Sequence, residues 1–385
     1  MVDRATVLVL GTGELTSELV QSFQRLGTRA TAVPTPTGAA ALRALIDRHA
    51  PQVVVVQSAA VDLDAEVVEA LAGLDEVAVF PTPGALRLAS DREALRTLAA
   101  HELGLPTAPF WFAGSVDELT AVAEHAGLPL TIAPVTHPGT EGAGRSVLSR
   151  LEDVDVAWHR AVSAGGDRVM AETAVDVAAE FTMLTVRTQG PAGPVVQFCE
   201  PIGHRRENGG PLELWQPHQL SESALDAARS IAARIVNKLG GTGLFTVDLL
   251  LGADAGAESG AEEVYFATVH SVLTGAGFVT TRSQRLSQFD LHARAILGLP
   301  VDTIMISPAA GEVSRPPADK AAVARALSDA LAVAESDVRL SGEVCVALAT
   351  APDVVRARDR AHQVAAVLNQ AAAINQAAAI NQTGK

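Results

Sequence analysis

The sequence predicts an α/β protein of two or three domains that opens with a parallel sheet. Three observations lead there. The chain has 385 residues, too many for one compact core. Its first segment alternates short apolar runs with amphipathic stretches, the pattern of β and α elements in turn. A break at Leu105-Pro106-Thr107-Ala108-Pro109 then starts a region with further strand-like runs. Hydrophobic residues make up 48% of the chain, enough for a core in each domain.

The elements follow in order. Ala5 to Leu10 reads as a buried strand that turns through Gly11-Thr12-Gly13-Glu14 into a helix. Leu15, Leu19 and Phe23 share one face of that helix, and Gly27 ends it. Arg29 to Val33 and Val53 to Val56 are the next strands, with ligands expected at the carboxyl ends of this parallel set. Ser90-Asp91-Arg92-Glu93 reads as a capping box, with Ser90 capping a helix that carries Leu95, Leu98 and Leu103 before Gly104. Leu128 to Pro134 is a strand entering a glycine-rich loop, His137 to Gly144; Val169 to Glu172 and Phe181 to Arg187 are further strands. Phe245 to Leu251 and Val264 to Val269 are strands joined by a long acidic loop, Gly252 to Glu262. A last unit holds a helix (Lys320 to Leu331), a strand (Val344 to Ala349) and a helix (Asp353 to Leu368). The end of the chain repeats Ala-Ala-Ala-Ile-Asn-Gln at 371–376 and 377–382. Alanine favours helix, but the spacing of Ile makes no apolar stripe, so a frayed tail or a docking segment is expected.

Composition removes several classes. A formal net charge of -15, from 44 acidic and 29 basic residues, opposes nucleic-acid binding. The two cysteines, Cys199 and Cys345, have no metal-ligand spacing and lie in apolar runs, so buried reduced thiols are expected. No run approaches the roughly 20 apolar residues of a membrane span, and no signal pattern opens the chain. A cytoplasmic protein with no membrane partner is expected.

Gly11-x-Gly13 lacks the third glycine of a dinucleotide fingerprint, since Thr16 stands there and Pro34 replaces the ribose-binding acid. Its backbone N–H groups still suit an anion. Gly139 to Ser146 suits either a phosphate-covering loop or an ordinary flexible one, because no Gly-Lys-Ser/Thr is present. Asp248 alternates with Val247 and Leu249 and so points away from the core, either as a solvated carboxylate or as a magnesium ligand. The facing run Tyr265-Phe266-Ala267-Thr268 offers no second acid. Glu172 and Glu180 flank a strand start, which suits nucleotide contacts or surface ion pairs. His204-Arg205-Arg206 with Trp215-Gln216-Pro217-His218 can serve an anion or order a loop.

Motif order then narrows the choice. Val7-Leu8-Val9-Leu10-Gly11-Thr12-Gly13-Glu14-Leu15, Asp91-Arg92-Glu93 and Leu103-Gly104-Leu105-Pro106-Thr107 come first. Pro201-Ile202-Gly203-His204-Arg205 with Trp215-Gln216-Pro217, then Leu239-Gly240-Gly241-Thr242-Gly243-Leu244-Phe245, follow. His292-Ala293-Arg294-Ala295-Ile296-Leu297-Gly298-Leu299-Pro300 and Val346-Ala347-Leu348-Ala349-Thr350-Ala351 complete the series. In this order the chain resembles the formate-dependent glycinamide ribonucleotide transformylases, ATP-grasp enzymes of purine synthesis, from about residue 5 to 365.

The resemblance implies an N-terminal parallel-sheet substrate domain (1–90), a two-part ATP-grasp core (91–300), a small C-terminal α+β unit (301–368) and a tail (369–385). It also implies a homodimer and small-molecule nucleotide ligands. The family makes formyl phosphate from formate with Mg-ATP, then passes the formyl group to the amine of glycinamide ribonucleotide. On this alignment Arg92, Glu172, Thr173, Ala174, Val175, Glu180, Gly142 and Gly144 fall on ATP-binding positions. Glu14, Leu15 and Gln57 fall on substrate positions, and Asp248 on a magnesium position.

The same alignment exposes departures. ATP-gripping lysines are replaced by Ala133 and Ala143, the second magnesium glutamate by Thr268, and a substrate Asp by Gly275. Gln57 stands where the family has an acidic substrate contact. A substrate Lys and an Arg-Arg pair fall in a deletion around Gly342-Glu343, and Arg145, although near the loop, is not expected to make good a lost lysine. Each charge-assisted hydrogen bond contributes roughly 1.5–3 kcal/mol. Two missing lysines therefore cost ~3–6 kcal/mol, about two to four decades of affinity or rate. The sequence thus implies impaired formyl transfer, or a non-catalytic pseudoenzyme acting as nucleotide sensor, regulator or scaffold.

Overall fold

The structure, a computed structural model, describes residues 5–58, 63–136, 143–173, 175–206, 210–253, 262–316, 320–342 and 344–383. The N-terminal sheet holds β1 (Thr6–Leu10), β2 (Arg29–Val33), β3 (Val53–Val56) and β4 (Ala78–Phe80), all parallel in the order β2-β1-β3-β4. Its helices are α1 (Gly13–Arg25), α2 (Ala39–His49), α3 (Ala65–Ala72) and α4 (Pro83–Ser90). Val7 and Val9 pack against Leu19 and Phe23 of α1, whereas Leu8 and Leu10 pack against Leu42 and Val67 on the other side. Burial on both faces is why β1 reads as an unbroken apolar run.

A second, antiparallel sheet joins β5 (Phe110–Ala113), β6 (Leu130–Pro134), β7 (Ser146–Leu148) and β8 (Val169–Thr173) in the order β5-β8-β6-β7. It follows α5 (Arg92–Thr97) and one π-helical turn, Leu98–Glu102. Helices α6 (Val116–Ala126) and α7 (Val154–Ala164) cover one face, where Leu119 and Ala161 meet Leu130, Ile132 and Ala171. By alternation, Phe110, Thr131, Ala133, Met170 and Glu172 lie on the opposite face.

Among the described residues the large sheet has nine strands. Its core is β9 (Val177–Gly190), β10 (Gly193–Phe198), β11 (Ile202–Arg206), β12 (Leu212–Gln216), β13 (Gly243–Ala253) and β14 (Glu262–His270). The strands β15 (Ala309–Ser314), β16 (Ser336–Leu340) and β17 (Cys345–Thr350) extend it, because β15 pairs with β12. Helix α8 (Glu222–Leu239) covers one face through Ala228, Ile231 and Ile235 against Phe181, Met183, Val247 and Leu249. The short α9 (Thr280–Ser283) and α10 (Gln288–Ile296) take the other face, where Leu184, Val186 and Leu244 meet Phe278 and Phe289. That cluster also contains Val7, Val9 and Phe23, so the N-terminal and large sheets share one core. Helices α11 (Lys320–Ala330) and α12 (Val354–Thr383) cover β17 through Val323, Val364 and Leu368.

Three details differ from expectation. Asp91, not Ser90, caps α5: it is extended and its carboxylate accepts the Ala94 N–H at 2.9 Å. Ser90 ends α4 and donates to the Arg87 carbonyl at 2.8 Å. The alanine-rich repeat continues α12 to Thr383 instead of fraying, as its helix propensity favours. Strand β15, Ala-Ala-Gly-Glu-Val-Ser, has too little β-branched character to stand out from the sequence. Both cysteines are buried thiols, and burial pushes Cys199 up to about 12.

His292 on α10 supports a pH prediction. Its Nδ1 accepts the Leu244 N–H at 2.9 Å, and burial lowers its pKa to about 4. The unfolded chain binds this proton from about pH 6.5 downward, so stability is full above that value and falls by ~1.4 kcal/mol per pH unit toward pH 4. Urea titrations of wild type and His292→Gln from pH 7.5 to 4 should show that slope shrinking in the variant.

Candidate functional site

The cap at Asp91 fixes the first turn of α5 and sets Arg92 and Arg96 one turn apart on the same side. Arg92 Nη1 donates to the Pro134 carbonyl at the end of β6, at 2.7 Å. Arg96 Nη1 donates to the Phe266 carbonyl in β14 at 2.8 Å, while its Nη2 closes an ion pair on Glu172 in β8. Both partners of that pair are largely buried, and the guanidinium also lies 5.9 Å from the Phe110 ring centre. One side chain therefore ties the small sheet to the large one. Burial lowers the pKa of Arg92, Glu172 pulls it back up, and Arg145 and Arg96 lower it further.

The other nucleotide-side positions gather around this joint unevenly. Thr173 ends β8 and its N–H donates to the Pro109 carbonyl at 2.9 Å. Val175 follows at the approach of β9 to Gly252. Ala174 and Gly142 lie outside the described residues. Glu180 sits within β9, opposite His204 of β11 and 3.8 Å from its Nδ1. Gly144 has a left-handed φ of 74°, and a Cβ there would stand 2.6 Å from Ala164 Cβ and 3.2 Å from Pro134 Cδ. Only glycine lets this segment close against the end of β6. Ala133 is buried opposite Met170.

Asp248 points away from the core, as its alternation with Val247 and Leu249 predicts, but it is not free in solvent. It accepts from Thr182 Oγ1 at 2.6 Å and faces His270 Nε2 at 3.2 Å, and Thr268 is its direct partner across the ladder. Burial raises the Asp248 pKa, yet the hydrogen bond and charge of His270, helped by His204 and Thr182, hold it below the usual carboxylate range. Among the described residues no three His, Cys, Asp or Glu side chains gather as metal ligands. One carboxylate with both oxygens engaged does not make a two-carboxylate magnesium cage.

On the N-terminal sheet, Glu14 opens α1 at the end of β1. Burial raises its pKa, Glu18 raises it further, and Arg339 opposes both. Leu15 packs on the shared core. Gln57 is buried, and both ends of its amide are taken by the Leu273 backbone: Nε2 donates to the carbonyl at 2.9 Å and Oε1 accepts the N–H at 3.1 Å. Arg339 of β16 bonds Glu18 of α1 at 3.0 Å and Asp337 at 2.6 Å, and Arg282 also pairs with Asp337.

Sequence reading missed Arg96 and the role of His270. The signal for Arg96 was its i+4 spacing from Arg92 on a helix. Nothing local marked His270, which meets Asp248 only through the pairing of β13 with β14.

An ATP-grasp domain model matches residues 98–289. A formate-dependent phosphoribosylglycinamide formyltransferase from Corynebacterium efficiens is 40% identical over 393 residues, covering 94% of this chain and 95% of that protein. One from Rhodococcus jostii is 39% identical, covering 93% and 94%. Among solved structures, a glycinamide-RNase-transformylase T from Mycobacterium tuberculosis matches with a TM-score of 0.78 and 45% identity, over 94% of this chain and 99% of that one. An N5-carboxyaminoimidazole synthase from Aspergillus clavatus in complex with ADP and 5-aminoimidazole ribonucleotide shares the fold, with a TM-score of 0.80 at 22% identity over 96% and 100% of the two chains.

Removing Arg96 leaves a buried carboxylate unpaired, so Arg96→Met should destabilise by about 3–5 kcal/mol. Arg96→Met with Glu172→Gln should recover much of that loss in urea denaturation. Additive losses would argue against a direct pair.

Proposed function

This chain belongs to the formate-dependent phosphoribosylglycinamide formyltransferase family of ATP-grasp proteins, and from that premise we propose that it binds adenine nucleotide while its formyl transfer is impaired or lost. Homology supports transformylase function in purine biosynthesis. The observation that carries the finer reading is Thr268 standing opposite Asp248, whose own oxygens are already engaged by Thr182 and His270. Phosphoryl transfer relies on positioning and on cations that neutralise charge. Here Ala133 and Ala143 add none.

The nucleotide side keeps more of its chemistry. Arg92 and Arg96 flank Glu172, the end of β8 at Thr173 offers backbone, and Glu180 stands on the neighbouring large sheet. We assign nucleotide contact to these residues, Val175 and Gly144. On the substrate side Glu14 and Leu15 remain at the carboxyl end of β1, but Gln57 is committed to Leu273. A glycinamide amine therefore meets no carboxylate at residue 57. The limiting case is a non-catalytic nucleotide sensor or scaffold. By family analogy we propose a cytoplasmic homodimer, with units at 1–90, 91–300 and 301–368.

Calorimetry with Mg-ATP and with glycinamide ribonucleotide, paired with an assay of formate-dependent ADP release, tests the proposal. ATP binding without ADP release is the expected result. Micromolar binding of both ligands with formate-dependent turnover would sink it. Ala133→Lys combined with Thr268→Glu should tighten ATP binding at least tenfold, since each restored charged contact contributes about 1.5–3 kcal/mol.

A further inference from the structure

Away from the cleft, a cavity of about 490 Å³ opens between the first turns of α12 and the strands beneath them. Three neighbouring strands build its floor. Arg205 of β11 stands directly across from Glu213 of β12, and Glu213 directly across from Glu312 of β15. His204 faces Glu180, so by alternation Arg205 and its two neighbours lie on the face opposite the nucleotide positions. Carboxylates directly opposed in a ladder repel. Glu213 is relieved twice: Arg358 of α12 holds both its oxygens, at 2.7 and 3.0 Å, and Arg205 bonds it at 2.9 Å. Arg358 is itself pinned 4.3 Å from the Trp215 ring centre. Burial raises the pKa of Glu213, but the two guanidiniums hold it below the usual carboxylate range. Glu312 has no such help. Its side chain is only 9% exposed, and its Oε1 meets Nδ1 of His362 at 2.8 Å, on an imidazole that is 74% exposed. Its Oε2 has no partner among the described residues.

We infer that this cavity is a binding site for a small organic monocation, a primary amine whose ammonium group donates to Oε2 of Glu312. The charge balance sets the valence. With Asp359 also on the wall, three carboxylates face two guanidiniums, and one negative charge is left over whenever His362 is neutral. A histidine changes charge between about pH 5 and 8, whereas an alkylamine keeps its proton to about pH 10. The protonated ring and the amine therefore compete for one carboxylate, the ring winning at low pH and the amine at high pH. A hydrogen bond between two charged groups at a site withdrawn from water is a strong one. Pro211 and Val355, the latter 66% exposed, offer an apolar wall for a short alkyl body. Nothing in this site depends on whether the cleft binds nucleotide.

The test is a saturation-transfer NMR titration of the full chain with butylammonium at pH 8 and pH 5.5, with tetramethylammonium and butanol as controls. Wild type should bind butylammonium several-fold tighter at pH 8 than at pH 5.5. Tetramethylammonium has the charge without an N–H donor and butanol has the chain without the charge, so neither should compete. Glu312→Gln keeps the shape of the side chain and should weaken the amine about tenfold at pH 8. His362→Gln, an exposed position, should keep the binding at pH 8 and flatten its pH dependence. Equal amine affinity in wild type and Glu312→Gln overturns the inference, as does butanol binding as well as the amine. Affinity that rises toward pH 5.5 in wild type overturns it too.

Discussion

The contact on which the cleft depends is the buried ion pair between Arg96 and Glu172. Its two ends belong to different layers: Glu172 to the small sheet and, through the Phe266 carbonyl, Arg96 to the large one. A pair withdrawn from water keeps its value only when the geometry is satisfied on both sides. That requirement fixes α5 against both sheets and so places Arg92 at the end of β6. Without the pair, the positions read as nucleotide contacts have no common frame.

A second constraint is the core shared by the N-terminal and large sheets. Val7, Val9 and Phe23 pack in the same cluster as Phe278, Phe289 and Leu244. The segment after β14 is thereby seated on the N-terminal sheet, and Gln57 clasps it at Leu273. Side chains near Glu14 are set by this docking. Arg339, arriving from β16 near the end of the chain, bonds Glu18 on the first helix.

The fold was legible where sequence period and burial agree. β1 and β13 are apolar where they are buried, and Asp248 turned outward as its alternation required. Capping was legible to within one residue, because Ser90 and Asp91 are both good caps and only the extended backbone at Asp91 decides between them. Strands such as β15 were hidden because they are built from alanine and glycine and owe their state to neighbours. The candidate site was legible as a set of positions and not as a set of bonds. Arg96–Glu172, His270–Asp248 and Gln57–Leu273 join residues 76, 22 and 216 apart in the chain, and no local pattern records such distances.

The clasp at Gln57 also bears on which side chains position 57 accepts. The family resemblance places an acid at that position. A carboxylate there could still accept the Leu273 N–H, but its other oxygen would face the Leu273 carbonyl, where the amide now donates at 2.9 Å. Two acceptors in a buried contact repel, so an ionised carboxylate at position 57 is opposed unless it takes up a proton or the segment after β14 moves. The clasp thus couples the identity of residue 57 to the position of a segment 216 residues away in the chain, so the two can change only together.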